Sequence, residues 1–305
     1  MSKLAAIVLT ALVIAAPGAA TVSPRVVAVI KAGASGPCAS VDAFGQVWVT
    51  DINSGELTTI DPKTNRPSGP NISIGGKPCG IVAGGGSLWV NGYGTNSVDR
   101  VSPSARKLVD RIVVGASPYD VAYGYGAVWT TNFGDWTVSR IDPKTDRVTQ
   151  TIKTGSPPTG LSITGGSVWV AANSDHFVYR IDPKTNRIAK VDVHHEAPAW
   201  FSATSSRLWV ASNADGVVLR LDPHSGRVLA TVKVGAVPQD GTITPDGDVW
   251  VPNMGDNTVS RIDPTTNRVT ATILVGPKPF VLSAGDGSVW APSYGGSDIR
   301  RISPD

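Results

Sequence analysis

Residues 158–194 read PTGLSITGGSVWVAANSDHFVYRIDPKTNRIAKVDVH, and the punctuation of this stretch decides the fold. The apolar run TGLSI is closed by TGG, SVWVAA by NSD and HFVYRID by PKTN, after which RIAKVDV follows. Short runs of Val, Ile and aromatic residues bounded by Gly, Asn, Asp and Pro are strands joined by tight turns. The segment is four consecutive strands. One such sheet has two faces to cover and needs neighbours to bury them.

The neighbours are copies of the same unit. Tryptophan recurs at positions 48, 89, 129, 169, 209, 250 and 290, a spacing of 40 or 41 each time. Each sits in an apolar burst: QVWVTD, SLWVNG, AVWTTN, SVWVAA, RLWVAS, DVWVPN, SVWAPS. Eleven residues after each Trp a second signature begins: TIDPKTN, RVSPSAR, RIDPKTD, RIDPKTN, RLDPHSG, RIDPTTN, RISPD. A proline precedes the burst, as in Pro118/Trp129 and Pro158/Trp169. Seven repeats of a 40-residue, four-strand unit predict an all-β chain folded as a seven-bladed β-propeller. Internal repetition overrides the two-domain prior that 305 residues would suggest.

The two ends fit a closed ring. The last copy stops at RISPD after its third strand, while residues 23–33, SPRVVAVIKAG, match the fourth-strand pattern of RVTQTIKTG. Residues 25–32 are expected to complete the last blade, hiding edge strands that would otherwise invite aggregation.

These units resemble the YVTN-type propeller repeat and, more loosely, the streptogramin (virginiamycin B) lyase propellers. The resemblance covers nearly all of the chain after its leader and rests on blade-building residues, so it speaks to architecture first. It implies an extracytoplasmic binding or scaffold protein. Through the lyases it also implies metal-assisted elimination on a cyclic peptide lactone, with a divalent ion such as magnesium held at the axial face. This chain has neither the Glu-x-His pairing nor the repeated Trp-Phe-Thr-Glu of those lyases, so no catalytic residue carries over position by position.

Composition narrows the function classes. Lys3, the apolar run Leu4–Ala16 and the small residues before Ala20 form a signal-peptide pattern over residues 1–20, which leaves residues 21–305 as one exported propeller, secreted or periplasmic. No later segment could span a bilayer. A net charge of +3 with 17% charged residues is too mild for an electrostatic nucleic-acid surface. A monomer acting on a small molecule, peptide or partner protein is the expectation. Neither a phosphate-binding glycine loop nor a nucleophile elbow is present, and PDGD at 245–248 is turn chemistry.

Against the repeated frame, the residues after each blade-entry proline vary. Tyr119, Trp200 and Phe280, with Asp120, Gln239 and Asp240 as polar points, are the candidate ligand-binding ring. Cys38 and Cys79 stand at equivalent places in adjacent blades, and two cysteines of an exported chain favour a disulfide, given Cα atoms about 4.4–6.8 Å apart. A second candidate is KVDVHHEAPAW, 190–200, where His195 takes the place of Gly75, Gly115, Gly155, Gly235 and Gly276, three residues before the proline. Those glycines suggest a left-handed backbone, which would cost a histidine about 1–2 kcal/mol. His194 and His195 are candidate bases, and Glu196 with His176 candidate metal ligands. Finally, the Arg-x-Asp pairs at Arg140/Asp142, Arg180/Asp182, Arg220/Asp222 and Arg261/Asp263 are expected to form ion pairs along one strand face.

Two functions follow. The first is a binding or scaffold propeller working through its axial face. The second is a streptogramin-lyase-like carbon–oxygen lyase using the histidine loop.

Overall fold

A computed structural model describes residues 23–33 and 35–305. The expected leader, residues 1–20, lies outside the described residues. Every regular element among them is a strand, and the strands form seven separate antiparallel sheets. Blade 4 is typical, with strands Pro158–Thr164, Ser167–Ala172, Phe177–Ile181 and Ile188–Asp192 paired in that order. This is a seven-bladed propeller.

Blade 1 departs from the pattern. Its outer strand is split into Arg66–Pro67 and Ile72–Ser73, both paired to Glu56–Asp61. Pro67 ends the first piece and the intervening segment, SGPN, carries Pro70; neither proline can donate to a ladder. In blade 7 the fourth strand is Arg25–Ile30, shorter than the expected 25–32, pairing from Arg25↔Ser303 to Ile30↔Ile299. The first and last segments of the ring are thereby held in one sheet.

Packing between sheets explains the repeated tryptophans. All seven are buried, and each joins an apolar layer shared by two blades. Trp129, for example, sits in one cluster with Ile152 of blade 3 and Leu161, Val168 and Val170 of blade 4. Truncating such a buried indole costs about 3–5 kcal/mol.

The Arg-x-Asp expectation needs correction. Arg140 pairs across the strands with Trp129 and lies 5.1 Å from its ring, with no ion pair to Asp142. Its guanidinium donates to the Pro183 carbonyl and Asn186 Oδ1 of the next blade. Arg220 reaches Pro264 and Asn267, and Arg301 reaches Pro62 and Asn65 across the ring closure. The aspartates instead accept backbone N–H groups of their own turns, as Asp142 does from Lys144 (2.9 Å). Residues two apart do share a strand face, but the long guanidinium gains more by covering an indole and capping orphan carbonyls of a neighbour. Blade 1 has Thr59 at the arginine position, and there Arg106 of blade 2 covers Trp48 at 5.5 Å.

Around the axis, side chains bridge first strands that have no continuous backbone ladder between them. Thr50 Oγ1 donates to the Cys79 carbonyl, Asn91 Nδ2 to Pro118 and Thr131 Oγ1 to Thr159. These bonds fix the inner strands that carry the candidate site.

Candidate functional site

The first strand of each blade enters from one axial face, and the turns joining second to third strands lie on that same face. Together they enclose a cavity of about 320 Å³. From the first strands come Tyr119, Trp200 and Phe280, as the sequence suggested. From the second-to-third-strand turns come Ile52, Tyr93, Met254 and Tyr294, which sequence reasoning missed. Their signal was present in the repeat, because each follows its blade tryptophan by four residues: Trp48/Ile52, Trp89/Tyr93, Trp250/Met254, Trp290/Tyr294. A large apolar residue in a turn of Gly, Asn and Ser, as in NGYGTN, has no packing reason to be there unless the turn lines something.

The rings form a continuous aromatic wall. Tyr119 stacks on Trp200 with centroids 5.4 Å apart and planes 27° apart. Trp200 meets Phe280 edge-on at 5.3 Å, and Phe280 meets Tyr294 at 5.4 Å. Tyr93 closes the other side against Tyr119 at 6.2 Å. Offset and edge-to-face contacts of this kind hold rings in fixed places. Burial pushes the Tyr119 phenol up from its usual value, and the neighbouring Tyr93 and Tyr294 phenols and Asp120 add to the shift. The three phenols therefore converge on one region.

At one edge of the cavity lie Cys38 and Cys79, joined as a disulfide with Cα atoms 5.2 Å apart. The Cys79 N–H donates to Asn91 Oδ1 (3.2 Å), so the residue that ties blade 2 to blade 3 also positions the bridge.

The three polar points sit apart from the cavity lining. Gln239 is buried and its amide donates to the Val237 carbonyl (3.2 Å). Asp120 follows Tyr119 on the first strand of blade 3, and Asp240 follows Gln239 just before the first strand of blade 6, Thr242–Ile243. The Leu161 and Val121 backbone N–H groups donate to Asp120 at 2.7 and 2.8 Å, which places its carboxylate between blades 3 and 4. Burial nevertheless pushes the Asp120 carboxyl up to about 7, against the effect of those two bonds. Burial also raises Asp240 well above its usual range, and the charge of Asp120 raises it further. Two buried carboxyls that interact hold their protons to higher pH, because both cannot ionise cheaply.

The histidine loop is elsewhere. His195 Nδ1 lies 2.9 Å from Asp215 Oδ2, and its Nε2 lies 3.5 Å from Thr231 Oγ1 on the outermost strand of blade 5. His194 and His176 both approach Asp192, at 3.1 and 3.7 Å, on the outer strand of blade 4. The Glu196 side chain is exposed. None of these residues lines the aromatic cavity. Among the described residues no group of three or more His, Cys, Asp or Glu side chains could hold a metal ion. The donor set expected for magnesium does not converge, so His176 and Glu196 do not fit such an ion. The hydrogen bond from His195 is the main reason that Asp215 is held below the usual carboxylate range.

The backbone expectation is also corrected. The left-handed residue is His194 (φ 55°), not His195, and its N–H donates to Asp192 Oδ1 (2.7 Å). Across the repeats the conserved-register left-handed position is the residue just before the proline, including Lys77, Ser117, Ala197, Val237 and Lys278. Of the five glycines only Gly75 and Gly155 have positive φ.

No family model and no curated protein matches the sequence. Solved structures do match. Virginiamycin B lyase from Staphylococcus aureus superposes with a TM-score of 0.80 at 16% identity, covering 92% of this chain and 99% of that one. A WD40 β-propeller domain gives 0.79 at 13% identity, covering 92% and 97%. A chain of the mitotic checkpoint complex gives 0.80 at 12% identity, covering 99% and 98%. The likeness is one of fold.

Proposed function

We propose that this chain is an exported binding propeller whose axial cavity takes a small molecule, or a side chain of a peptide or partner protein. The observation that carries the reading is the aromatic wall. Rings from four blades, brought together only by closure of the ring, line a space of about 320 Å³, within the range of ligand sites. Nothing in blade packing requires Tyr93 and Tyr294, which remain 39% and 38% exposed at its mouth. The leader pattern and the disulfide support export.

The lyase-like alternative gains no support from this site, since the histidines pair with Asp192 and Asp215 and none of them lines the cavity. A ligand-observed NMR screen of small aromatic and amine fragments, repeated on a Tyr119→Ala/Trp200→Ala/Phe280→Ala variant, tests the reading. Hits should disappear in the variant. Hits that bind it unchanged would sink the cavity as the site.

A further inference from the structure

The chemistry of the cavity restricts what it can hold. Its lining includes no charged side chain, and its walls are the rings of Tyr93, Tyr119, Trp200, Phe280 and Tyr294. An aromatic face is the negative pole of the ring quadrupole, and several faces around one space attract a cation. The phenol oxygens of Tyr93, Tyr119 and Tyr294 add lone pairs at the mouth.

The lining itself thus supplies negative potential, from its ring faces and phenol oxygens. Two lysines stand nearby, Lys77 and Lys278, each just before a blade-entry proline. Both are exposed, with stems lying along Gly94 and Gly295 of the rim turns. Water and salt screen such surface charges within about 8 Å.

Hydration then selects the kind of cation. An inorganic ion or a primary ammonium loses a strong hydration shell that ring faces replace poorly. A methylated ammonium is weakly hydrated, and its methyl groups bury apolar surface against the rings and Met254.

We propose that the cavity binds an organic cation of the methylated-ammonium class, its charge held by the aromatic wall. This rests on the cavity being the ligand site, as argued above. The matched probes are choline and its neutral isostere 3,3-dimethylbutan-1-ol, which differ in one atom and one charge. Each carries nine equivalent methyl protons, so ligand-observed NMR titration reads both with equal sensitivity.

The expected result is that choline binds at least tenfold more tightly than the alcohol. Tyr119→Leu should weaken both, and choline by the larger factor, because it removes a ring face as well as apolar contact. Equal affinity for the two probes, lost in Tyr119→Leu, would keep the binding reading and overturn the cation inference. Choline binding that survives Tyr119→Leu and Phe280→Leu would place the cation elsewhere and overturn the inference too. If neither probe binds at 10 mM, roughly the weakest affinity that one cation–π contact with methyl burial would give, the inference and the cavity reading both fall.

Discussion

Replacing Asp240 with asparagine should make the protein more stable, and increasingly so as pH rises. Asp120 is pushed up to about 7 and Asp240 is also raised. The folded state therefore keeps protons that the unfolded chain has released once pH passes about 4. Stability contributed by such groups is fully present below the unfolded value and falls as pH climbs from about 4 through the folded values. Each retained proton costs at most about 1.4 kcal/mol per pH unit. Over pH 4 to 7 the ceiling for one carboxyl is about 4 kcal/mol, reduced where Asp240 keeps some contact with solvent. Asparagine fills the same volume and cannot ionise, and among the described residues no hydrogen bond to the Asp240 carboxylate is lost. Carboxylates held low by hydrogen bonds, such as Asp51, Asp215 and Asp298, act below about pH 4 and are common to both proteins. They cancel in the difference. Thermal melts of both proteins from pH 4 to 8 at fixed ionic strength should show a gap growing by about 2–8 °C in favour of the variant. A gap that is constant across that range would refute the buried, interacting pair.

Three further outcomes follow from the ring's closure. Replacing both Cys38 and Cys79 with alanine opens a loop of sequence separation 41 and should cost about 4 kcal/mol, read as a lower urea midpoint that reducing agent no longer changes. Arg301→Ala removes a guanidinium 5.0 Å from Trp290 that also reaches Pro62 and Asn65, and should lose about 2–3 kcal/mol. Arg301→Lys should recover little of that, because an ammonium cannot cover the indole and fork to two acceptors at once; full recovery in denaturant titration would contradict the clamp. Deleting residues 25–30 bares the edge of Ile299–Ser303, and light scattering should report association that the intact chain does not show.

The blade was legible in the sequence because its causes are local. Alternation, turn residues and a tryptophan every 40 or 41 positions each act within one repeat, so the seven blades and their closing strand could be read directly. Three of the five rings of the aromatic wall were legible for the same reason, since Tyr119, Trp200 and Phe280 break a repeated frame. Tyr93 and Tyr294 carried a register signal that had no meaning until the second-to-third-strand turns were known to face the first strands across the axis. The histidine loop misled because adjacency in sequence is not convergence: the backbone directs His194 and His195 to carboxylates on two different blades.

What the sequence determined by itself is the repeat, and through it the fold, because hydrophobic period and turn chemistry are short-range. What only the tertiary structure decided is which variable residues meet. The Trp200–Phe280 contact, the bridging of Cys38 to Cys79 and the coupling of Asp120 to Asp240 join residues 41 to 120 positions apart. Closure of the ring sets those distances, and no local pattern encodes the curvature that each blade adds.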